Sequence, residues 1–225
     1  MPAAVGRLIV GPLFLGLIAF TTSLTATTRD GAIRPTAVPS RVPREKQRVL
    51  LPPAREAAPF GLTRGMTEAQ FGLRLKKRAG GMYELATVPE PNPAFAYYLV
   101  EIGPTTGLCF VKAVGKEVTT SVDGTQLRSQ FSRVRDELAL THGHYGETNR
   151  LLQGSMWHEP LDWMMGLVKE ERLILAVWSP DTGANLAPGL REIFLTVSAL
   201  STHRGYVVLE YYFDNEEQCD REIDR

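Results

Sequence analysis

The chain has 225 residues, of which 44% are apolar and 22% are charged, and its 25 basic side chains equal its 25 acidic ones in number. This composition is typical of a protein that can bury an apolar core, and it excludes a chain that is disordered throughout. The basic residues are concentrated near the N-terminus, so residues 59–225 carry a net negative charge. We therefore expect no basic nucleic-acid-binding surface on that part of the chain and predict no nucleic-acid partner.

The N-terminal residues have the pattern of an export signal. Arg7 is followed by an apolar run from Leu8 to Phe20, and residues 21–28 are mostly small and polar. The run has the length of the hydrophobic part of a signal peptide, roughly 7 to 15 residues, and is shorter than the roughly 20 residues that cross a bilayer. We predict a signal peptide over residues 1–26 and a periplasmic or secreted protein. The alternative is an uncleaved inner-membrane anchor, because no charge separates Arg7 from Arg29.

Residues 27–58 are predicted to form a disordered tether. They contain six arginines and one lysine against three acidic residues, and prolines at positions 35, 39, 43, 52 and 53. Such a segment cannot bury enough apolar surface to offset the entropy of ordering it. It is either a contact for anionic membrane lipid or cell-wall polymer, or a plain spacer.

A helix start marks the beginning of the domain predicted over residues 59–225. Thr67 and Gln70 have the spacing of a capping box, and Met66 and Phe71 flank it as a hydrophobic staple. This pattern predicts a helix to about Lys77.

The residues at this start, Gly65, Met66, Thr67 and Gln70, resemble the beginning of the first helix in small bacterial envelope proteins of the BamE type. The resemblance covers about a dozen residues. It implies an α+β module of the cell envelope and assigns no functional residue.

The rest of the domain alternates strands with a few helices. Alternating or β-branched segments predict strands at 82–88, 95–102, 108–114, 117–122, 172–178, 191–201 and 205–213. Helical spacing predicts helices at 125–142, 160–168 and the C-terminal tail, while 146–159 reads as a loop. The predicted fold is α+β, with one or more antiparallel sheets, helices packed on one face, and the order αβββα(α)βββα.

Cys109 and Cys219 are the two cysteines of the chain. In an exported protein an even number permits a disulfide, which here would join a strand to the last helix. The alternatives are two separate thiols or a single nucleophilic cysteine.

Three histidines form the candidate metal site: His142, His144 and His158. Imidazole is a common zinc ligand, but His142 also falls where a cation favours the C-terminus of a helix. No arrangement typical of a serine hydrolase or of a phosphate-binding loop accompanies them.

Tryptophan and methionine side chains gather around the short helix predicted at 160–168. They are either part of the core or the lining of a groove for an apolar ligand or a partner. The members are Trp157, Trp163, Trp178, Met164 and Met165.

The sequence thus predicts an exported bacterial envelope protein that binds another envelope component without catalysis and without a cofactor. Two alternatives remain: a carrier of a small apolar ligand, and a metal-dependent hydrolase that uses the three histidines.

Overall fold

A computed structural model describes residues 58–78 and 81–223. The predicted signal peptide and all but the last residue of the predicted tether lie outside these ranges. Within them, no helix is both long enough and apolar enough to cross a membrane.

A nine-stranded sheet, antiparallel at every pairing, forms the centre of the described region. The strand order is β1-β2-β3-β4-β9-β8-β7-β6, and β5 pairs with β9. The strands are β1 (Lys76–Lys77), β2 (Met82–Leu85), β3 (Phe95–Gly103), β4 (Gly107–Gly115), β5 (Val118–Thr119), β6 (Gly146–Leu151), β7 (Arg172–Trp178), β8 (Leu190–Ser201) and β9 (Arg204–Phe213).

Four α-helices accompany the sheet in the described region: α1 (Glu68–Phe71), α2 (Thr125–His142), α3 (Trp163–Val168) and α4 (Glu216–Ile223). Short 3₁₀ turns lie at Pro59–Gly61, Gly72–Arg74, Pro160–Asp162 and Pro180–Thr182.

The predicted α+β class and its order αβββα(α)βββα are wrong, because the protein is mostly one large antiparallel sheet. The first helix is much shorter than predicted. Its capping box forms, since the Thr67 N–H donates to Gln70 Oε1 at 2.7 Å. Gly72, at a φ of 61°, then ends the helix, and the chain continues into the edge strand β1.

The prediction that the helices share one face is also wrong. On β4, Val111 belongs to the main core beneath α2 and α3, whereas the adjacent Phe110 packs with Cys219 of α4. Because neighbouring side chains of a strand point to opposite faces, α4 lies on the other side of the sheet.

The main core fills the space between the sheet and α2. Leu127, Phe131, Val134 and Leu138 form the buried stripe of α2. They pack towards β8 and β9, where Ile193, Leu195, Val207 and Leu209 are buried. Each fully buried side chain of this kind contributes about 1.5 to 3 kcal/mol of transfer free energy.

A disulfide joins α4 to the sheet. The Sγ atoms of Cys109 and Cys219 lie 2.00 Å apart, and the bond closes a loop of 110 residues. In the chain-entropy treatment such a loop contributes about 4 to 5 kcal/mol to stability. Cys109 is the extra residue of a β-bulge, since Glu101 pairs with Phe110 and Ile102 with Leu108. Bulges re-aim side chains, which places this sulfur beside α4.

Glu222 fixes the same helix to the β3–β4 hairpin. Its carboxylate accepts hydrogen bonds from the backbone N–H groups of Thr105 and Thr106, at 2.9 and 3.0 Å, and from both threonine hydroxyls. These donors stabilise the charged form and hold the pKa of Glu222 far below its ordinary value of 4.5.

We expect this contact to make stability depend on pH. A carboxylate with a depressed folded-state pKa contributes its full stabilisation above pH 4.5, and the contribution is lost as pH falls towards the folded-state pKa. Glu222→Gln should therefore lower the melting temperature near pH 6 and flatten its decline between pH 4.5 and 2.5, as measured by circular dichroism. Glu217→Gln, an exposed acid of the same helix, is the control. If the melting temperatures of wild type and Glu222→Gln fell equally steeply between pH 4.5 and 2.5, the stabilising role of the Glu222 carboxylate would be contradicted.

Candidate functional site

The tryptophan and methionine side chains around α3, predicted to form either core or a groove, are mostly buried. Trp178 and Met164 are fully buried, and Trp163 retains only 6% of its exposure. Trp157 and Met165 are half-buried. Trp178 also donates its indole N–H to the Gly143 carbonyl at 3.3 Å, which links β7 to the end of α2.

Two of the three candidate metal-binding histidines lie at or just after the end of α2, and the third lies between β6 and α3. His142 ends α2 and is half-buried, and burial lowers its pKa, which favours the neutral imidazole. His144 and His158 are exposed, and Nδ1 of His158 lies 3.2 Å from the Ser155 carbonyl oxygen. Across residues 58–78 and 81–223, no three His, Cys, Asp or Glu side chains are grouped closely enough to hold a metal ion.

A cleft of about 150 Å³ lies between α2, α3 and the strands at the β6 end of the sheet. We call it the arginine cleft. Its lining consists of Arg128, Phe131, Ser132, Arg135, Glu147, Asn149, Trp163, Ile174 and Val197. Arg172 of β7 reaches the same region, since its guanidinium donates to Asn149 Oδ1 at 3.3 Å.

Trp163 organises this cleft. The guanidinium carbon of Arg128 lies 5.8 Å from the centre of its ring, and that of Arg172 lies 5.9 Å away. Both distances fall within the range of cation–π attraction, for which tryptophan is the best partner. One aromatic ring therefore holds two cations close together.

The two cations have no carboxylate partner among the residues that the structure describes. Among the ion pairs of the described residues, none involves Arg128 or Arg172. Burial and, secondarily, the charge of Arg128 lower the pKa of Arg172. Its Nε atom is also buried without a hydrogen-bond acceptor in the described part of the chain. A cation without a carboxylate partner among the described residues is costly to bury, and an anion in the cleft would compensate part of its charge.

Arg135 plays a different part in the same cleft. Its guanidinium donates to Glu147 and Asp136, each at 2.9 Å, and it lies 5.7 Å from the ring centre of Tyr145. This arginine is thus neutralised and ties α2 to β6. Among the described residues, the positive charge in and beside the cleft that no carboxylate contacts comes from Arg128 and Arg172.

The cleft could not be predicted from the sequence because Arg128 and Arg172 belong to different elements. Arg128 and Arg135 are seven residues apart, a spacing that places both on one face of a helix. That spacing was a usable signal for the α2 side of the cleft. Nothing local indicates that Arg172 joins them, because its position depends on the pairing of β6 with β7.

No family model, curated protein or solved structure matches the chain. The resemblance of Gly65, Met66, Thr67 and Gln70 to the BamE type therefore stays a prediction.

Gly124 sets the position of Trp163, and we expect its replacement to disturb the cleft. A Cβ atom at Gly124 would lie 2.1 Å from Cε3 of the indole ring. Gly183 has nearly the same backbone conformation, with φ 75° and ψ 23° against 73° and 16°, but a Cβ there would meet no described atom within 4 Å. Both alanine variants carry the cost of a positive φ, so the difference between them measures the clash.

Gly124→Ala should therefore be less stable than Gly183→Ala by about 1 to 3 kcal/mol in urea unfolding. The indole N–H resonance of Trp163 should also move in Gly124→Ala alone. Equal stabilities of the two variants would show that the glycine does not constrain the ring.

Proposed function

We propose that this chain is an exported bacterial envelope protein that works by binding, and that the arginine cleft receives an anionic group of its partner. The observation that carries the proposal is the pair of guanidinium groups, Arg128 and Arg172, which lie against Trp163 and form no ion pair with a carboxylate of the described residues. Arginine is suited to this role because its planar set of donors matches carboxylate and phosphate oxygens.

The size of the cleft supports recognition of a single group. About 150 Å³ corresponds to roughly five water molecules at 30 Å³ each. Pockets that enclose a whole small molecule measure roughly 300 to 1,000 Å³. The cleft therefore suits one carboxylate or phosphate, with the remainder of the ligand lying outside.

The lining favours binding over catalysis. It contains neither histidine nor cysteine, and its one carboxylate, Glu147, is engaged by Arg135. Ser132 supplies a hydroxyl that can donate to a bound oxygen, and Asn149 supplies an amide. Such a set can hold and orient an anion.

Anion binding is tested with the full-length protein and inorganic phosphate or acetate, at constant ionic strength adjusted with chloride. Either anion should raise the melting temperature of the wild type in a saturable manner. Losing a hydrogen bond to a charged group should weaken binding about tenfold or more in Arg128→Gln and in Arg172→Gln.

Arg133→Gln is the matched control, because Arg133 is an exposed arginine of the same helix that donates to Gln130 and lies outside the arginine cleft. It should retain wild-type binding. Equal responses of wild type and the Arg128→Gln/Arg172→Gln double variant would refute the site, as would no response to either anion.

Export is a separate part of the proposal, supported by the sequence pattern of residues 1–28. Intact mass spectrometry of the protein recovered from a bacterial envelope fraction should show a chain that lacks about the first 26 residues. A chain that retains Met1 in the membrane fraction would support the anchored alternative. Full-length protein confined to the cytosol would contradict export.

A further inference from the structure

The two edges of the sheet differ in how they are protected. The edge strand β1 has only two residues, Lys76 and Lys77, and both are exposed. Short edge strands and lysine side chains are devices that prevent another strand from pairing with a sheet. This edge is therefore closed to strand addition.

The opposite edge, β6, is longer and regular, although it carries the charged side chains of Glu147 and Arg150. Each of its six residues pairs with β7, with no shift of register and no proline. Bulges occur instead in the interior pairs, β3 with β4 and β8 with β9. In an antiparallel pair, the backbone groups that are not bonded to the neighbour point away from it. No strand of the described region pairs with the far side of β6.

The arginine cleft adjoins this open edge. Glu147 and Asn149 are strand positions of β6 that line the cleft, and Arg172 donates to Asn149. A strand added beside β6 would lie about 4.8 Å away, with alternate side chains on the same face as these two residues. A carboxylate on that face would be within a side-chain length of the Arg172 guanidinium.

We propose that the β6 edge binds an extended acidic peptide segment by strand addition, and that one of its Glu or Asp side chains enters the arginine cleft. This inference rests on the anion site proposed above and names the class of partner that brings the anion. Backbone hydrogen bonds to β6 give affinity, and the unpaired charges of Arg128 and Arg172 select an acidic sequence. The cleft has room for only one such group, which agrees with a ligand whose main chain stays outside it.

The test uses isotopically labelled full-length protein and the peptide Ac-Thr-Glu-Thr-Glu-Thr-Glu-Thr-NH₂, in which all glutamates share one face of an extended chain. Threonine favours the strand conformation. Titration followed by nuclear magnetic resonance should show saturable shifts in residues 146–151 and slower hydrogen exchange of their outward amides. The amides of Lys76 and Lys77, on the protected edge, should not change.

Two control peptides separate backbone pairing from charge recognition. N-methylation of alternate residues removes backbone donors, and it should weaken binding at least tenfold. Replacement of Glu by Gln should have a similar effect on wild type but little on Arg172→Gln. Inorganic phosphate should compete with the parent peptide.

The outcomes distinguish the two proposals. If phosphate binds to the cleft but the peptide does not bind, or binds equally well when N-methylated, strand addition is wrong and the anion site stands. If the peptide slows hydrogen exchange of the β6 amides but its affinity changes neither when Glu is replaced by Gln nor in Arg172→Gln, the proposed specificity for acidic peptides is wrong. If substitutions at Arg128 and Arg172 change the affinity for neither phosphate nor the peptide, the proposed function itself fails.

Discussion

The position of β9 is the constraint on which the described fold depends. This strand pairs with β4 on one side and β8 on the other, and β5 also adds to it. It therefore joins the strands that precede α2 to those that follow it in a single sheet. The alternate side chains Val207, Leu209, Tyr211 and Phe213 are buried in the core that these strands share. α2 packs on β8, β9 and β5, so β9 also supplies part of the surface beneath this helix.

Sequence analysis predicted individual elements well where their side chains face the core. The bounds of α2, 125–142, are those of the structure, because its buried residues repeat at helical spacing. β7 was located for a similar reason, since Ile174, Ala176 and Trp178 alternate with half-buried neighbours. In these segments the apolar period directly reflects burial.

The misses have a common physical origin. β6 was predicted as a loop because Glu147 and Asn149 face the arginines rather than apolar side chains, so the strand has no hydrophobic alternation. The fold class was wrong because periodicity cannot show that β9 connects both groups of strands. The candidate site was missed because Arg128 and Arg172 meet only through tertiary packing around Trp163. Polar strands and distant charge clusters leave little trace in a local pattern.

The late place of β9 in the chain also has a kinetic consequence. Strands β1 to β4 occur well before it, and their sheet gains its central neighbour only when residues 204–213 are available. Pairings between distant segments make folding slow, because loop entropy is lost before the contacts form. During synthesis from the N-terminus, β4 would thus lack its β9 partner until almost the whole chain had been made. The β9 segment is therefore the point at which the sheet is completed.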